Sequence, residues 1–170
     1  MISKVIDSPV GHLQLVANDH ALSELNWPEQ HTHRLAQSSK RSKILDQAEE
    51  ELGLYFDGQL HVFHVPLTPT GTAFQQQVWT RLATIEWGKT CSYKTIACGI
   101  NKPTAMRAVG TAIGKNPLPI FIPCHRVVGS DGSLTGFSGG INVKRLLLAH
   151  ESNLVIKMCL YTSPQYAMLE

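Results

Sequence analysis

The chain has 170 residues, of which 43% are hydrophobic and 16% are charged, and its net charge is +2. This composition indicates one globular domain or two small ones, and it excludes a disordered chain and a membrane-spanning helix. The first residues lack the apolar core of a signal peptide, so we expect a protein that is not exported. The four cysteines contain no C-x-x-C pair, which argues against a zinc ribbon and favours reduced thiols. They are Cys91, Cys98, Cys124 and Cys159.

The small net charge hides an asymmetry along the chain. Residues 1–70 carry five Lys or Arg against nine acidic residues, whereas residues 71–150 carry nine against two. Residues 151–170 carry one against two. A basic block of this kind is typical of a surface that binds a polyanion. An ordinary solvated surface has the same charges, so the count alone leaves both interpretations open.

The first 70 residues predict a small α/β unit. Short apolar runs separated by turn residues, such as Ser8–Gly11, indicate strands. Apolar residues from Ile44 to Tyr55 recur at three- and four-residue steps, as they do in an amphipathic helix. The expected elements are strands at residues 5–6, 13–16, 22–27 and 61–67, a loop at 31–43 and a helix at 44–57.

A domain boundary is expected at Thr68–Gly71, where turn residues coincide with the change in charge. The predicted fold class is therefore α+β, with an N-terminal α/β domain followed by a mainly helical C-terminal domain. The predicted bounds are residues 1–70 for the first domain, 71–152 for the second, and 153–170 for a tail without a clear period.

The second domain is predicted to contain a helix-turn-helix. Thr72 and Gln75 have the spacing of a capping box, which places the start of a first helix there. Two short helices then follow, joined by a turn at Asn101–Pro103. The expected elements are helices at residues 92–99, 105–113 and 141–150, a turn at 129–132 that could belong to a small hairpin, and a flexible loop at 136–140.

Cys124 is the strongest candidate for chemistry. It follows a proline-rich apolar segment and precedes His125 and Arg126, and such neighbours favour the reactive thiolate. A buried structural cysteine is the alternative. Consecutive side chains point in different directions, so a water between Cys124 and His125 is an easier geometry than direct contact. Glu151, at the end of the last predicted helix, is the candidate to orient His125, unless it is only a solvated helix end.

Metal and phosphate sites have weaker support. His31 with His33, or His61 with His64, could share a metal, but such pairs are usually surface residues. The glycine-rich stretch 136–140 lacks the Lys-Ser/Thr of a phosphate-binding loop. We therefore predict no metal and no cofactor.

The segment Ile122–Val128, Ile-Pro-Cys-His-Arg-Val-Val, resembles the O6-alkylguanine-DNA alkyltransferases, a family of direct-reversal DNA repair proteins. The resemblance covers residues 72–152, whereas the N-terminal half is only compatible with the family's small α/β domain. Further motifs that occur in the family's order and spacing are Ser92-Tyr93, Arg107–Gly110, Asn116-Pro117, Ser138–Gly140 and Leu147–Glu151.

The resemblance implies one irreversible transfer of an alkyl group, usually methyl, from O6 of guanine to Cys124. Glu151, His125 and a water would form the relay that deprotonates Cys124. Tyr93 would donate to the ring nitrogen N3 of the departing guanine, and Asn116 would tie the proline-rich turn to the site. The remaining contacts that it implies are the carbonyls of Cys124 and Val127 with the exocyclic amine, the N–H of Ser138 with O6, and Lys144 near the base.

The resemblance also implies how DNA is held. A stacked guanine is out of reach, so the nucleotide must leave the duplex, and Arg107 would occupy its place. The helix that carries Ala105, Ala108 and Gly110 would lie against the minor groove, whose degenerate code suits a protein that meets damage in any sequence. Phosphate neighbours would be Lys94, Lys102, Lys115 and Ser130. We expect a monomer that binds double-stranded DNA containing O6-alkylguanine, not a membrane, in the cytoplasm or, in a eukaryote, the nucleus.

Three departures from the family pattern and three rival functions accompany this hypothesis. Phe137 stands where many members have Tyr, Glu86-Trp87 precedes Gly88, and Met106 replaces a small residue beside Arg107. The N-terminal half has no cysteine, so the zinc site of some relatives is not supported. The rivals are a module that recognises alkylated DNA without repairing it, a cysteine hydrolase and a helix-turn-helix regulator. Cys124 argues against the first, the Cys-His adjacency against the second, and the Pro-Cys-His-Arg segment against the third.

Overall fold

The computed structural model describes residues 1–27 and 41–152, and the chain begins there with a three-stranded antiparallel sheet. Strand β2 lies in the centre, with Leu15 opposite Leu25 on β3, and all five of its residues are buried. The strands are β1 (Ile2–Ile6), β2 (Leu13–Ala17) and β3 (Leu22–Asn26), which confirms the first three predicted strands. The predicted tail and most of the predicted loop at 31–43 lie outside the described residues.

Helix α1 (Lys43–Phe56) covers the sheet through its apolar face. The Ser42 side chain accepts a hydrogen bond from the Leu45 N–H and so caps the start of the helix. The face that the spacing predicted is buried, and Tyr55 at its end is 0% exposed. The predicted helix is confirmed within one residue at each end.

The strand predicted at residues 61–67 is wrong. This segment contains bends, and its one strand-like pairing is a single β-bridge between Leu67 and Leu22. The Glu51 carboxylate accepts hydrogen bonds from the backbone N–H groups of His64 and Val65, at 2.8 and 3.1 Å. A side chain therefore takes the place of a partner strand for these two donors.

The second half is helical, and its helix-turn-helix prediction is confirmed by two short helices that pack on each other and on the helix before them. The Thr72–Gln75 capping box forms as predicted, and the helix that it starts ends at Leu82. The Trp79 Nε1–H, in the helix at Ala73–Leu82, donates to the Ala112 carbonyl at 2.9 Å. This bond joins that helix to the one at Met106–Gly114. The helices are α2 (Ala73–Leu82), α3 (Tyr93–Gly99), α4 (Met106–Gly114) and α5 (Ile141–Glu151).

Two-residue strands β4 (Cys91–Ser92) and β5 (Val127–Val128) pair in parallel beside α3. The Gly129 N–H donates to the Ser133 carbonyl and closes the predicted turn, but no hairpin forms in this part of the described chain. The α+β prediction is confirmed. None of the helices within residues 1–27 and 41–152 has the length and apolarity to cross a membrane.

The N-terminal sheet contacts the helical half at two places that matter for the site. The Leu25 N–H of β3 donates to the Pro117 carbonyl at 2.8 Å. The Trp27 ring packs against Gly139 so closely that a Cβ there would lie 2.8 Å from it, which reserves the position for glycine. The sheet therefore supports both the segment before Cys124 and the loop before α5.

Candidate active site

One turn of 3-10 helix carries Cys124, His125 and Arg126 in succession. All three side chains are buried, at 4%, 0% and 5% exposure. The turn is held by its own backbone, since the Cys124 N–H donates to the Ile122 carbonyl and the Val127 N–H donates to the Cys124 carbonyl. Three adjacent residues thus place a thiol, an imidazole and a guanidinium in one buried turn.

Asn116 holds the proline-rich segment that leads to this turn. Its Nδ2–H donates to the Ile122 carbonyl at 2.9 Å, and its Oδ1 accepts from the Leu118 N–H at 3.0 Å. Between them, Ile120 has a φ of 75°, which is strained for a β-branched side chain. The structure therefore places Asn116 across the proline-rich segment.

The Glu151 carboxylate is the most heavily hydrogen-bonded group near Cys124. Its Oε1 accepts from His125 Nε2 at 2.8 Å, from the Tyr55 hydroxyl at 2.8 Å and from Arg126 Nη2 at 2.9 Å. Its Oε2 accepts from Arg126 Nε at 2.7 Å and from the Gly88 N–H at 3.4 Å. A Cβ on Gly88, whose φ is +71°, would lie 2.9 Å from the Glu151 carbonyl oxygen, so glycine is required at this close approach.

These donors keep Glu151 ionised. Burial alone would raise the pKa of this carboxyl, but the hydrogen bonds and charges of His125 and Arg126 outweigh burial, and the pKa falls to about 2. An ionised carboxylate only accepts hydrogen bonds, so the proton in the contact with His125 belongs to the imidazole Nε2. The other ring nitrogen, Nδ1, is buried without a hydrogen-bond partner among the described residues.

Burial shifts the pKa values of His125 and Cys124 in opposite directions. Burial lowers the pKa of His125, against the opposing effect of Glu151, so the imidazole is neutral and its Nδ1 carries a lone pair. Burial raises the pKa of Cys124 to about 11, although an Asn116 hydrogen bond and the Lys144 charge oppose it. At neutral pH the thiol is therefore protonated and needs a base to become a nucleophile.

Tyr93 and Lys144 meet at the carbonyl of Thr135. Lys144 Nζ donates to this carbonyl at 2.7 Å, and the Tyr93 hydroxyl lies 3.3 Å from it and 3.1 Å from Thr135 Oγ1. Lys144 is 0% exposed. It anchors the loop before α5 and adds a positive charge that favours the Cys124 thiolate.

The residues implied for DNA binding lie on the surface. Arg107 and Ala108 are exposed on α4, whose opposite face, with Val109, is buried. Ala105 and Gly110 are half-buried, and a Cβ on Gly110 would lie 3.8 Å from the Tyr93 ring, in ordinary contact. The further exposed members of the implied set are Lys94, Lys102, Lys115, Ser130 and Ser138, whereas Val127 is buried.

Two residues around Glu151 were not assigned a role from the sequence. Arg126 was identified only as a neighbour that favours the Cys124 thiolate, and the structure makes it the bidentate partner of Glu151. Tyr55 was identified only as part of the apolar face of α1. A tyrosine on a buried face needs a partner for its hydroxyl, and this signal could have marked it. Among the described residues no group of three or more His, Cys, Asp or Glu is placed to hold a metal ion.

Comparisons with known proteins agree with this geometry. Residues 1–69 match the ribonuclease-like domain of 6-O-methylguanine DNA methyltransferase, and residues 73–153 match its DNA-binding domain. A methylated-DNA–protein-cysteine methyltransferase of Methanosarcina barkeri is 42% identical over 90% of this chain and 98% of its own length. One of Mycobacterium bovis is 46% identical over 88% and 92%, respectively.

Solved structures show the same similarity in three dimensions. The crystal structure of Mycobacterium tuberculosis OGT in complex with DNA matches with a TM-score of 0.82 and 45% identity, over 89% of this chain and 93% of that one. A Methanococcus jannaschii O6-methylguanine DNA methyltransferase matches with a TM-score of 0.66 and 30% identity, over 88% and 93%. The similarity therefore extends across both halves of the described chain.

Proposed function

The chain belongs to the 6-O-methylguanine DNA methyltransferase family, and from this membership and the buried site we infer how it works. It is a direct-reversal DNA repair enzyme that transfers an alkyl group from DNA to one of its own cysteines. The observation that carries the assignment of residues is the neutral His125, bonded through Nε2 to Glu151 and adjacent in sequence to the buried thiol of Cys124.

We assign the transfer to Cys124 as a single displacement. The thiol proton moves, through a water, to Nδ1 of His125, while Glu151 stabilises the imidazolium that forms. The sulfur then bonds to the alkyl carbon, and the bond from that carbon to guanine O6 breaks. The electron pair passes into the guanine ring, where Tyr93 donates a hydrogen bond or a proton to N3. The product is a thioether that water does not cleave, so each molecule acts once.

We assign DNA binding to the exposed face of α4. Arg107 is exposed where the helix starts, and the small neighbours Ala105, Ala108 and Gly110 let the backbone approach a minor groove closely. The flipped guanine would then meet Tyr93, the Val127 carbonyl and the Ser138 N–H. The basic and polar side chains at the surface support contacts with phosphates through Lys94, Lys102, Lys115 and Ser130.

The substrate range and the setting are finer proposals. O6-methylguanine in double-stranded DNA is the proposed substrate, with larger alkyl groups and O4-alkylthymine as further candidates. We propose that the protein acts as a monomer, because one chain supplies every group in the mechanism. We place it wherever chromosomal DNA lies, in the cytoplasm of a prokaryote or the nucleus of a eukaryote.

Mass spectrometry tests the assignment directly. After incubation with excess duplex DNA containing O6-methylguanine, we expect one added methyl group per chain, on the peptide that contains Cys124. The Cys124→Ser variant should bind the same DNA and gain no mass. Methylation of another peptide would refute the nucleophile, and bound but unrepaired DNA would favour the non-repairing recognition module.

A further inference from the structure

We propose that Tyr55, which lies in the N-terminal half, is a positioning residue that sets the basicity of the His125–Glu151 pair. The inference rests on the proposed function, since it concerns the proton relay to Cys124. Tyr55 stands 96 positions before Glu151 in the chain, yet its hydroxyl lies 2.8 Å from Glu151 Oε1. The N-terminal half therefore contributes a side chain directly to the carboxylate behind the base.

The Tyr55 hydroxyl has a fixed position because its ring is enclosed. The residue is 0% exposed. Its ring is packed between four other rings, with centroid distances of 5.1 to 5.4 Å. These rings belong to Phe56, Phe63, Trp87 and His150. A hydroxyl held in this way donates in one direction and orients the carboxylate oxygen that receives it.

The same residue also holds the end of α5 through its backbone. The imidazole Nε2 of His150 lies 2.7 Å from the Tyr55 carbonyl oxygen, and a carbonyl can only accept the hydrogen bond. Two successive residues of α5, His150 and Glu151, are thus bonded to one residue of α1. This double contact fixes the position of the Glu151 side chain at the end of α5.

The choice of oxygen gives Tyr55 its effect on the base. Oε1 accepts from the Tyr55 hydroxyl and also from His125 Nε2. A second donor on one oxygen withdraws negative charge from it and weakens its pull on the imidazole proton. Removal of the Tyr55 hydroxyl should therefore make His125 more readily protonated and leave the carboxylate freer to rotate. The other charged groups that act on His125 are Arg126 from the 3-10 turn and Lys144 from α5. The titratable His150 of α5 packs against the Tyr55 ring.

The Tyr55→Phe variant tests this in the full-length protein, because it keeps the ring and removes only the hydroxyl. We expect the acid limb of the single-turnover methyl transfer rate, measured from pH 5 to 9, to move upward by about 0.5 pH units. The maximal rate should fall about tenfold, the order seen when a residue that orients a ligand or base is lost. Binding of unmodified duplex DNA should stay within about twofold, because the proposed DNA-binding face is on α4, whereas α1 packs on the N-terminal sheet.

Glu51→Gln is the matched control. Glu51 lies one helical turn before Tyr55 on α1, is also buried, at 7% exposure, and bonds to the backbone N–H groups of His64 and Val65. It makes none of the contacts to Glu151, so its loss should lower stability and leave the pH profile in place. Equal profiles for the two variants would show that Tyr55 has only a structural role and would overturn the inference.

Replacement of Tyr55 with 3-fluorotyrosine should shift the pH profile in the opposite direction while it keeps the fold. Fluorine makes the phenol a stronger donor, so the acid limb should move downward. A wild-type profile for both Tyr55→Phe and the fluorinated protein would also overturn the inference. If the wild-type protein gained no methyl group on Cys124, the proposed function itself would fail, and that result is distinguishable because it does not depend on Tyr55.

Discussion

The buried cluster around Glu151 and the exposed face of α4 use polar residues in opposite ways. In the cluster, His125, Arg126 and Tyr55 all donate to one carboxylate that is 1% exposed. On α4, Arg107 is exposed, and its proposed partner is DNA. A change in the cluster should therefore affect both stability and chemistry. A change on α4 should affect DNA binding alone.

The largest effect is expected for Glu151→Gln. An amide cannot neutralise Arg126, so the variant buries an unpaired guanidinium, and the free energy of unfolding should fall by about 3–5 kcal/mol. Urea unfolding measures this. The control is Glu49→Gln, whose half-exposed surface ion pair with Lys4 should contribute less than about 1 kcal/mol. Similar losses for the two variants would contradict the separation of buried and exposed charges.

Acid should weaken the cluster in two steps. Unfolded His125 takes up a proton below pH 6.5, whereas burial lowers its pKa in the folded protein, so stability decreases as the pH falls below that value. Glu151, with a folded pKa of about 2, adds stability above pH 4.5 that is lost as the pH falls towards 2, on the order of 3 kcal/mol. Urea unfolding between pH 7 and 3 tests this, and Glu151→Gln should remove most of the second step. An unchanged second step would mean that other carboxylates cause it.

Arg107→Ala should separate DNA recognition from chemistry. Without the side chain that we propose replaces the flipped nucleotide, methyl transfer from duplex DNA should slow about tenfold or more, since unstacking a base costs a few kcal/mol. Transfer from free O6-benzylguanine, which needs no flipping, should keep its rate. The free energy of unfolding should also be unchanged. Single-turnover assays with the two substrates measure this. Equal slowing with both would place Arg107 in the chemistry instead.

The smallest effect is expected for Lys94→Ala. This exposed residue of α3 is a proposed phosphate neighbour, so its loss should reduce the slope of log affinity against log salt by about one. Stability should change by less than about 0.5 kcal/mol. Fluorescence titration of duplex DNA at several salt concentrations gives the slope. A wild-type slope would remove Lys94 from the DNA surface.

The sequence predicted local features better than it predicted long-range partners. The helix from Lys43 to Phe56 and the capping box at Thr72 were correct because each depends on residues within a few positions. The strand at 61–67 was wrong because a distant carboxylate, that of Glu51, satisfies its donors. The hairpin was wrong because β5 pairs with Cys91–Ser92 instead.

The site shows the same limit. The motif made Cys124 and His125 visible, and Glu151 was reachable as the carboxylate at the end of the last helix. Tyr55 could be marked only as a buried tyrosine whose hydroxyl needs a partner, because its spacing does not identify Glu151, 96 positions away, as that partner. Periodicity reports which face is buried and leaves open what a polar atom on that face contacts.

The strained Ile120 affects the order in which the parts of the chain fold. A β-branched residue at a φ of 75° is held there by its surroundings, including the hydrogen bond from the Ile122 N–H to the Leu118 carbonyl at 2.8 Å. The Leu25–Pro117 contact must join two distant parts of the chain before that support is complete. We therefore expect the turn with Cys124 to be among the last parts to reach its native shape during folding. A newly made chain would acquire its reactivity only when both halves have assembled.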